Sequence, residues 1–174
     1  MGGRWVTRRV HLLRHAKSSW DDAALDDHER PLAPRGLKAA ASIARWIEEH
    51  DDVRPELVLC SSAVRARETL AQVEDALGSP RIEIEDGLYA ASADELVRRL
   101  GQLSPEMREV LLVGHNPGLA DLCLLLARPS TESERIAEKL PTGALVTLET
   151  RSDWAALQPE CATIVHLVLP RELS

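Results

Sequence analysis

Short apolar runs alternate along the chain with longer segments in which apolar residues recur every three or four positions. The short runs predict buried strands at residues 10–14, 57–60, 82–84 and 110–113. Similar runs at 144–148 and 163–169 indicate further strands, whose order and direction the pattern leaves open. Strands that alternate with helical segments are typical of an α/β fold with a largely parallel sheet.

The longer segments show the apolar spacing of amphipathic helices at residues 34–50, 61–77 and 92–103. We expect the second helix to start at the serine pair Ser61-Ser62, because serine is a favoured helix cap. The third helix should start at the capping box that opens with Ser92. Strands and helices of this kind together predict a layered α/β protein.

The composition is that of an ordinary soluble globular protein, with 44% hydrophobic and 28% charged residues. No repeat or low-complexity linker divides the chain, so we expect one domain that spans residues 1–174. Acidic residues outnumber basic ones by 28 to 21, and the net charge of -7 argues against binding of nucleic acid or an anionic membrane. The three cysteines form no CxxC pair, and no signal core or membrane-spanning stretch is present, so we expect buried thiols and a cytoplasmic protein.

Three polar motifs lie just beyond the carboxyl ends of predicted strands. They are Arg14-His15, the segment from Ser61-Ser62 to Arg65, and Gly114-His115-Asn116-Pro117. In parallel sheets these strand ends meet at one edge, where ligand sites form. Two arginines, two histidines and helix N-termini would together bind a dianionic phosphate, because guanidinium forks match phosphate oxygens.

Each motif taken alone also has a purely structural interpretation. Arg14-His15 could be a solvated strand edge, Ser61-Ser62 a helix cap, and His115 a residue that orients a loop. In the third motif, Asn116-Pro117 suits a helix cap followed by the first helical position. The positive charge of Arg65 in a first helical turn interacts unfavourably with the helix dipole. Either a function or a surface salt bridge would explain this unfavourable position.

In combination, these segments resemble the histidine phosphatase superfamily. Leu13-Arg14-His15-Ala16 is similar to the RHG/RHA signature of that family, SSAVRARET at 61–69 to its second phosphate-binding segment, and VGHNP at 113–117 to its second histidine motif. The segment ERPLAPRG at 29–36 is similar to a loop and helix start in the short SixA-type phosphohistidine phosphatases. The resemblance runs from about residue 10 to residue 148.

This resemblance implies a three-layer α/β/α sandwich with a mostly parallel central sheet, similar to the phosphoglycerate mutase fold. It implies that His15 is the phosphorylated nucleophile, that Arg14, Arg65 and His115 hold the phosphoryl oxygens, and that neither a metal nor a cofactor is needed. An imidazole can act as this nucleophile, because a neutral ring nitrogen can attack phosphorus when the other nitrogen keeps its proton. Water would then release phosphate.

The motifs do not identify the general acid that would protonate the leaving group. Many larger relatives carry an acidic residue after the third strand, where this chain has Asp86 as a candidate. Asp21, six residues beyond His15, is a second candidate, although a solvated loop carboxylate is the simpler interpretation of either residue. Three further residues are candidates for substrate contact from their position along the chain: Ser18, Arg30 and Asn116.

A weak or missing acid favours phosphohistidine as the substrate, because a protonated imidazole leaves phosphorus more easily than an alkoxide does. The short chain leaves little room for a lid, and an open site suits a phosphorylated protein. The alternatives are a phosphatase of small phosphorylated metabolites and a non-catalytic phosphate-binding adaptor, although the presence of His15 counts against the adaptor. His15, His115 and Asp21 would also suit a metal triad, but the neighbouring arginines would repel a cation.

Overall fold

A computed structural model describes residues 5–173, so that residues 1–4 and 174 of the expected domain lie outside the described part. The strands are β1 (Arg8–Arg14), β2 (Leu57–Ser61), β3 (Arg81–Glu85), β4 (Glu109–Gly114), β5 (Leu145–Thr150) and β6 (Ala162–Val168). The α-helices are α1 (Pro34–Glu49), α2 (Val64–Val73), α3 (Ala93–Gly101), α4 (Gly118–Leu126) and α5 (Thr131–Glu138). Each predicted strand and helical segment is therefore present, with ends that differ by a few residues.

The strands form one sheet in the order β3-β2-β4-β1-β5-β6. Strand β1 is parallel to β4, and β2 is parallel to both β4 and β3, whereas β5 is antiparallel to β1 and to β6. The connection between β5 and β6 contains only a short 3-10 turn, Trp154–Ala156, which is too short for the crossover that a parallel pair needs. The mostly parallel sheet is confirmed, and the direction that the sequence left open for the last strands is antiparallel.

Helices cover both faces of the sheet because neighbouring strand residues point to opposite sides. In β1, the buried Leu12 belongs to one apolar cluster with Leu100 of α3 and Leu122 of α4. The next residue, Leu13, belongs to a second cluster with Ile43 of α1 and residues of α2. This arrangement is the expected three-layer sandwich. In the part of the chain that the structure describes, no helix is long and apolar enough to cross a membrane.

Two helix starts differ from the sequence prediction. Helix α2 begins at Val64 rather than at the serine pair, because Ser61 is still the last residue of β2 and its hydroxyl is bound elsewhere. Helix α4 begins at Gly118, and Asn116 does not cap it, because its side-chain amide donates to the carbonyl of Leu140 at 3.0 Å. In both places the polar side chain binds a neighbouring segment instead of capping a helix: Ser61 contacts His115, and Asn116 contacts Leu140.

The C-terminal part contains α5, which the sequence pattern did not predict. Its capping box pairs Ser130 with Ser133, each hydroxyl accepting the backbone N–H of the other residue. A serine therefore stands where the usual signature has glutamate or glutamine. The three cysteines are free; Cys60 and Cys123 are buried as expected, whereas Cys161 is only half-buried. Burial raises the pKa of the Cys60 and Cys123 thiols to about 12.

Helix α1 lies directly against the chain segment that follows His15. A Cβ atom on Gly36 would be only 2.2 Å from the main-chain oxygen of Lys17, so this close approach requires glycine. The same oxygen accepts the backbone N–H of Ala33 at 2.8 Å, just before the helix begins. Helix α1 thus fixes the path of the loop beside the strand end.

Candidate active site

Parallel pairing brings the three polar motifs to one edge of the sheet. Arg14 at the end of β1 pairs with Gly114 at the end of β4, and Cys60 of β2 pairs with Val113 of β4. The residues that follow these strand ends are therefore neighbours, and the ring centroids of His15 and His115 lie 5.1 Å apart. The strand ends meet as the sequence predicts for a parallel sheet.

An open cavity of about 420 Å³ lies at this edge. Seven of the sequence-predicted site residues line it: Arg14, His15, Ser18, Arg30, Arg65, His115 and Asn116. The lining also contains Lys17, Trp20, Asp27 and Tyr89, none of which the sequence motifs singled out. The cavity therefore combines several cations with a single carboxylate among its described lining residues.

His15 lines the cavity and is held as a neutral imidazole. Its Nδ1 lies 2.7 Å from the main-chain oxygen of Ala16, and because a carbonyl can only accept, Nδ1 carries the proton. Burial, together with the nearby charge of Arg65, lowers the pKa of His15 to about 3. Nε2 consequently keeps its lone pair at neutral pH, which is the form that a nucleophile needs.

His115 is oriented by Ser61 of the neighbouring strand. The Ser61 hydroxyl lies 2.7 Å from His115 Nε2 and accepts the backbone N–H of Ala63 at 3.2 Å. In the tautomer in which the Ser61 hydroxyl donates its own hydrogen to Nε2, the His115 proton lies on Nδ1. Nδ1 has no partner among the described residues, and burial lowers the pKa of His115 to about 4. His115 can therefore offer an N–H to an oxyanion.

Arg14 supplies a second unused donor. Its Nη1 donates to the carbonyl of Leu140 at 2.8 Å, whereas Nε has no partner among the described residues. Burial and the charge of Arg65 lower the pKa of Arg14. Arg14 and Arg65 line the same cavity, and an anion bound between their guanidinium groups would stabilise both charges.

Arg65 is almost fully buried, at 6% exposure, and faces both His15 and Asp27. Its Nε donates toward His15 Nε2 at 3.4 Å, and its Nη2 donates to Asp27 Oδ2 at 3.0 Å. Its Nη1 donates to the main-chain oxygen of Asp27 at 2.6 Å. The unfavourable position of Arg65 at a helix start is therefore explained by contacts inside the cavity.

Asp27 is the carboxylate that the sequence interpretation missed. Oδ1 accepts from Arg30 Nε at 3.2 Å, and Oδ2 accepts a short hydrogen bond from the Tyr89 hydroxyl. The Tyr89 hydroxyl, followed by Arg65 and Arg30, lowers the pKa of Asp27 to about 2, so the group is ionised at neutral pH. Its only signal in the sequence was the spacing of three residues to Arg30, which suits an ion pair.

The two candidate acids of the sequence lie outside this cavity. Asp21 is an exposed loop residue, and Asp86 is exposed in the short 3-10 turn after β3. Neither side chain is among the lining residues, because Asp27 turns inward at the 3-10 turn Asp27–Glu29 while Asp21 stays on the outer part of the same loop. For the same reason, His15, His115 and Asp21 do not form a metal triad.

Trp20 and Arg30 form the rim of the cavity. The Arg30 guanidinium carbon lies 3.4 Å from the centre of the Trp20 ring, and Arg30 Nη1 donates to the carbonyl of Ser19 at 3.1 Å. Arg30 is 7% exposed, whereas Trp20 is 70% exposed. The rim thus presents an aromatic surface to any partner that reaches the cavity.

Comparisons with known proteins agree with this geometry. Residues 10–96 match the family model described as histidine phosphatase superfamily (branch 1). An uncharacterized protein of Mycobacterium tuberculosis is 35% identical over 163 residues, which cover 91% of this chain and 100% of that protein. A proposed SixA phosphohistidine phosphatase of Nakamurella multipartitia has a TM-score of 0.81 and 29% identity, covering 94% of this chain and 96% of that one. The protein histidine phosphatase SixA complexed with tungstate has a TM-score of 0.78 and 25% identity, covering 95% and 99% of the two chains.

Proposed function

The chain belongs to the histidine phosphatase superfamily, and we propose that it hydrolyses phosphohistidine through a covalent phosphoryl intermediate on His15. The observation that carries this proposal is the tautomer of His15, whose Nδ1 is fixed by Ala16 while the lone pair of Nε2 faces Arg65 Nε at 3.4 Å. The positive charge that the reaction needs comes from arginine side chains, so no metal is required.

In the first step, the lone pair of His15 Nε2 attacks phosphorus and forms a new N–P bond. The bond between phosphorus and the substrate nitrogen breaks, and the electron pair leaves with the substrate imidazole, which carries a proton on its other nitrogen. Arg14, Arg65 and His115 donate hydrogen bonds to the three phosphoryl oxygens, where charge is concentrated in the transition state.

In the second step, water attacks the phosphorus of phospho-His15 from the side opposite Nε2. The N–P bond breaks, its electron pair returns to Nε2, and both protons of the attacking water leave with the released phosphate as H2PO4−. The hydrogen bond from Nδ1 to Ala16 is kept through both steps, so that His15 returns to its starting tautomer. The cycle consumes one water for each phosphoryl group.

The state of Asp27 supports phosphohistidine as the substrate. A sugar or serine phosphate leaves as an alkoxide and needs a protonated acid, whereas a protonated imidazole leaves without one. The only carboxyl group among the described lining residues has a pKa of about 2 and holds no proton to give at neutral pH. The SixA relatives are named as phosphohistidine phosphatases, which agrees with this preference.

A phosphatase of small phosphorylated metabolites is the second candidate, because a carboxyl group does lie in the cavity beside the Tyr89 hydroxyl. Binding of a phosphate ester could redistribute the arginine contacts and raise the pKa of Asp27 into a useful range. The two candidates therefore differ in the leaving group that they can expel.

Substrate preference is tested by phosphate release from a phosphohistidine peptide, the matched phosphoserine peptide and an aryl phosphate. We expect the phosphohistidine peptide to be hydrolysed fastest and the His15→Ala variant to be inactive on all three. His50→Ala is the matched control, because His50 is an exposed histidine stacked on Trp46, remote from the cavity lining. Preferential hydrolysis of the phosphate esters would reject the phosphohistidine assignment and favour the metabolite phosphatase.

A further inference from the structure

Trp20 presents an uncovered face of its indole ring at the rim of the cavity. The Arg30 guanidinium carbon lies over the other face, 3.4 Å from the ring centre. Among residues 5–173, no second ring or cation stacks on Trp20. The residue is 70% exposed, although it lines the same cavity as His15. A large aromatic surface is thus left open in the cavity that holds the nucleophile.

Arg30 is a fixed support for this ring. Its Nε and Nη2 both lie 3.2 Å from Asp27 Oδ1, and its Nη1 donates to the carbonyl of Ser19 at 3.1 Å. All three guanidinium nitrogens are therefore held by protein acceptors, and the charge attracts the face of the indole that lies on it. The plane of the Trp20 ring is thus set before any ligand arrives, which lowers the entropy cost of binding to it.

The direction of phosphoryl transfer brings the leaving group toward the rim. In-line transfer requires the leaving atom to lie opposite His15 Nε2 across the phosphorus atom. His15 is only 7% exposed, so a phosphoryl group has to reach it from the open side of the cavity. The leaving group then points back to that open side, where the exposed face of Trp20 lies.

Tyr89 is the other tyrosine or tryptophan of the described lining, and its ring already has partners. The rings of His28 and His115 lie 4.9 and 5.4 Å from it, nearly perpendicular at 81° and 87°. Its hydroxyl donates to Asp27. Because Tyr89 is committed to these contacts, a substrate ring at the rim would find its stacking partner in Trp20.

We propose that Trp20 is a specificity-determining residue that stacks on the imidazole of phosphohistidine and so selects a flat ring as the leaving group. This inference rests on the proposed function, since it takes His15 as the nucleophile that faces the leaving nitrogen. Stacked rings remove apolar area from water, and an offset arrangement suits their charge distribution. The contact exists both before and during transfer, so it strengthens substrate binding more than it accelerates the chemical step.

The test compares two substrates with a P–N bond that differ in the ring: free phosphohistidine and phosphoramidate, whose leaving group is ammonia. We expect Trp20→Ala to lower kcat/KM for phosphohistidine about 5- to 20-fold, mainly through a higher KM, because the stacking surface is lost. For phosphoramidate, kcat/KM should stay within about twofold of the wild-type value, since this substrate has no ring to stack. Trp20→Phe keeps a flat ring and should retain at least about a third of the wild-type kcat/KM for phosphohistidine.

Trp5→Ala is the matched control for the loss of an exposed indole. Trp5 is 77% exposed and lines a different cavity from His15. We expect its kcat/KM to stay within about twofold of the wild-type value for both substrates. Thermal melting verifies that each variant is folded, and the exposure of both rings predicts small changes in melting temperature.

The two substrates separate stacking from a structural role. An equal loss on phosphohistidine and phosphoramidate, or a loss in kcat alone, would overturn the proposal, because Trp20 would then act through Arg30 and Asp27 rather than on the ring. Wild-type kinetics of Trp20→Ala on phosphohistidine would overturn it as well. A loss in Trp20→Phe as large as that in Trp20→Ala would reject stacking as the cause.

Failure of the inference and failure of the proposed function give different results. If the wild type hydrolyses phosphohistidine and Trp20→Ala does so equally well, only the stacking role is rejected. If the wild type hydrolyses phosphate esters but not phosphohistidine, the proposed function fails and the stacking role fails with it. A loss confined to phosphohistidine and restored by Trp20→Phe supports both.

Discussion

Ser61→Ala should impair catalysis through His115, although Ser61 is absent from the cavity lining. The residue is fully buried, and its hydroxyl lies 2.7 Å from His115 Nε2. Without it, Nε2 loses its only hydrogen-bond partner among the described residues, and nothing fixes the His115 proton on Nδ1, the nitrogen that would donate to a phosphoryl oxygen. The substitution thus removes a donor by changing a tautomer rather than by removing a side chain.

The magnitude follows from the cost of an unsatisfied buried group. Loss of one partner of a buried hydrogen bond costs about 1–3 kcal/mol. If this cost falls on the transition state, kcat/KM on a phosphohistidine peptide should decrease about 5- to 150-fold. A decrease in the free energy of unfolding with unchanged kcat/KM would instead place the cost on the free enzyme and assign the hydroxyl a purely structural role.

The adjacent serine provides the control for this assay. Ser62 is only partly buried, and its hydroxyl contacts His28 Nε2 at 2.8 Å instead of His115. We expect Ser62→Ala to retain kcat/KM within about twofold, because its hydrogen-bond partner His28 is only partly buried and water can replace the hydroxyl. Wild-type kcat/KM in Ser61→Ala, measured by steady-state kinetics with a continuous phosphate assay, would refute the role assigned to the Ser61 hydroxyl.

Three further predictions follow from burial, close contact and position. Gly36→Ala should lower the free energy of unfolding by about 1–3 kcal/mol in chemical denaturation, because its Cβ would be 2.2 Å from the Lys17 oxygen; an unchanged midpoint would contradict the close approach. Asp21→Asn and Asp86→Asn should keep kcat/KM within about twofold of the wild-type value. A large loss in either variant would show that the residue contributes to catalysis. The pKa of His15 is about 3 in the folded protein against an ordinary value of 6.5, so the unfolded chain binds more protons between these values. Stability should therefore fall as pH falls below 6.5, and melting curves should show a smaller fall for His15→Ala than for the wild type.

The sheet and its active edge were predictable because they depend on local patterns. Short apolar runs identify buried strands, and parallel strands bring their carboxyl ends together whatever their order. Arg14 is the last residue of β1, and His15 and His115 directly follow β1 and β4, so their convergence required no knowledge of the side-chain packing. The antiparallel direction of β5 and β6 was not accessible, because it depends on how a connection closes in space.

The polar contacts inside the site were less predictable. Ser61 has the residue type of a helix cap, and only the extension of β2 by one residue directs its hydroxyl to His115. Asp21 and Asp27 stand in one acidic loop, and the sequence gives no reason to prefer the second. The choice is made by a single 3-10 turn and by Tyr89, which is distant along the chain. Roles that depend on such long-range pairs require the folded structure.

The most direct test of the account is to trap the phosphoryl intermediate. The wild type would be mixed with excess phosphohistidine peptide, quenched in alkali, in which phosphohistidine survives, and digested for mass spectrometry. The account predicts phosphorylation at His15, with no label in His15→Ala and normal labelling in His50→Ala. Phosphorylation of another residue, or turnover by His15→Ala at the wild-type rate, would contradict the central claim that His15 is the nucleophile.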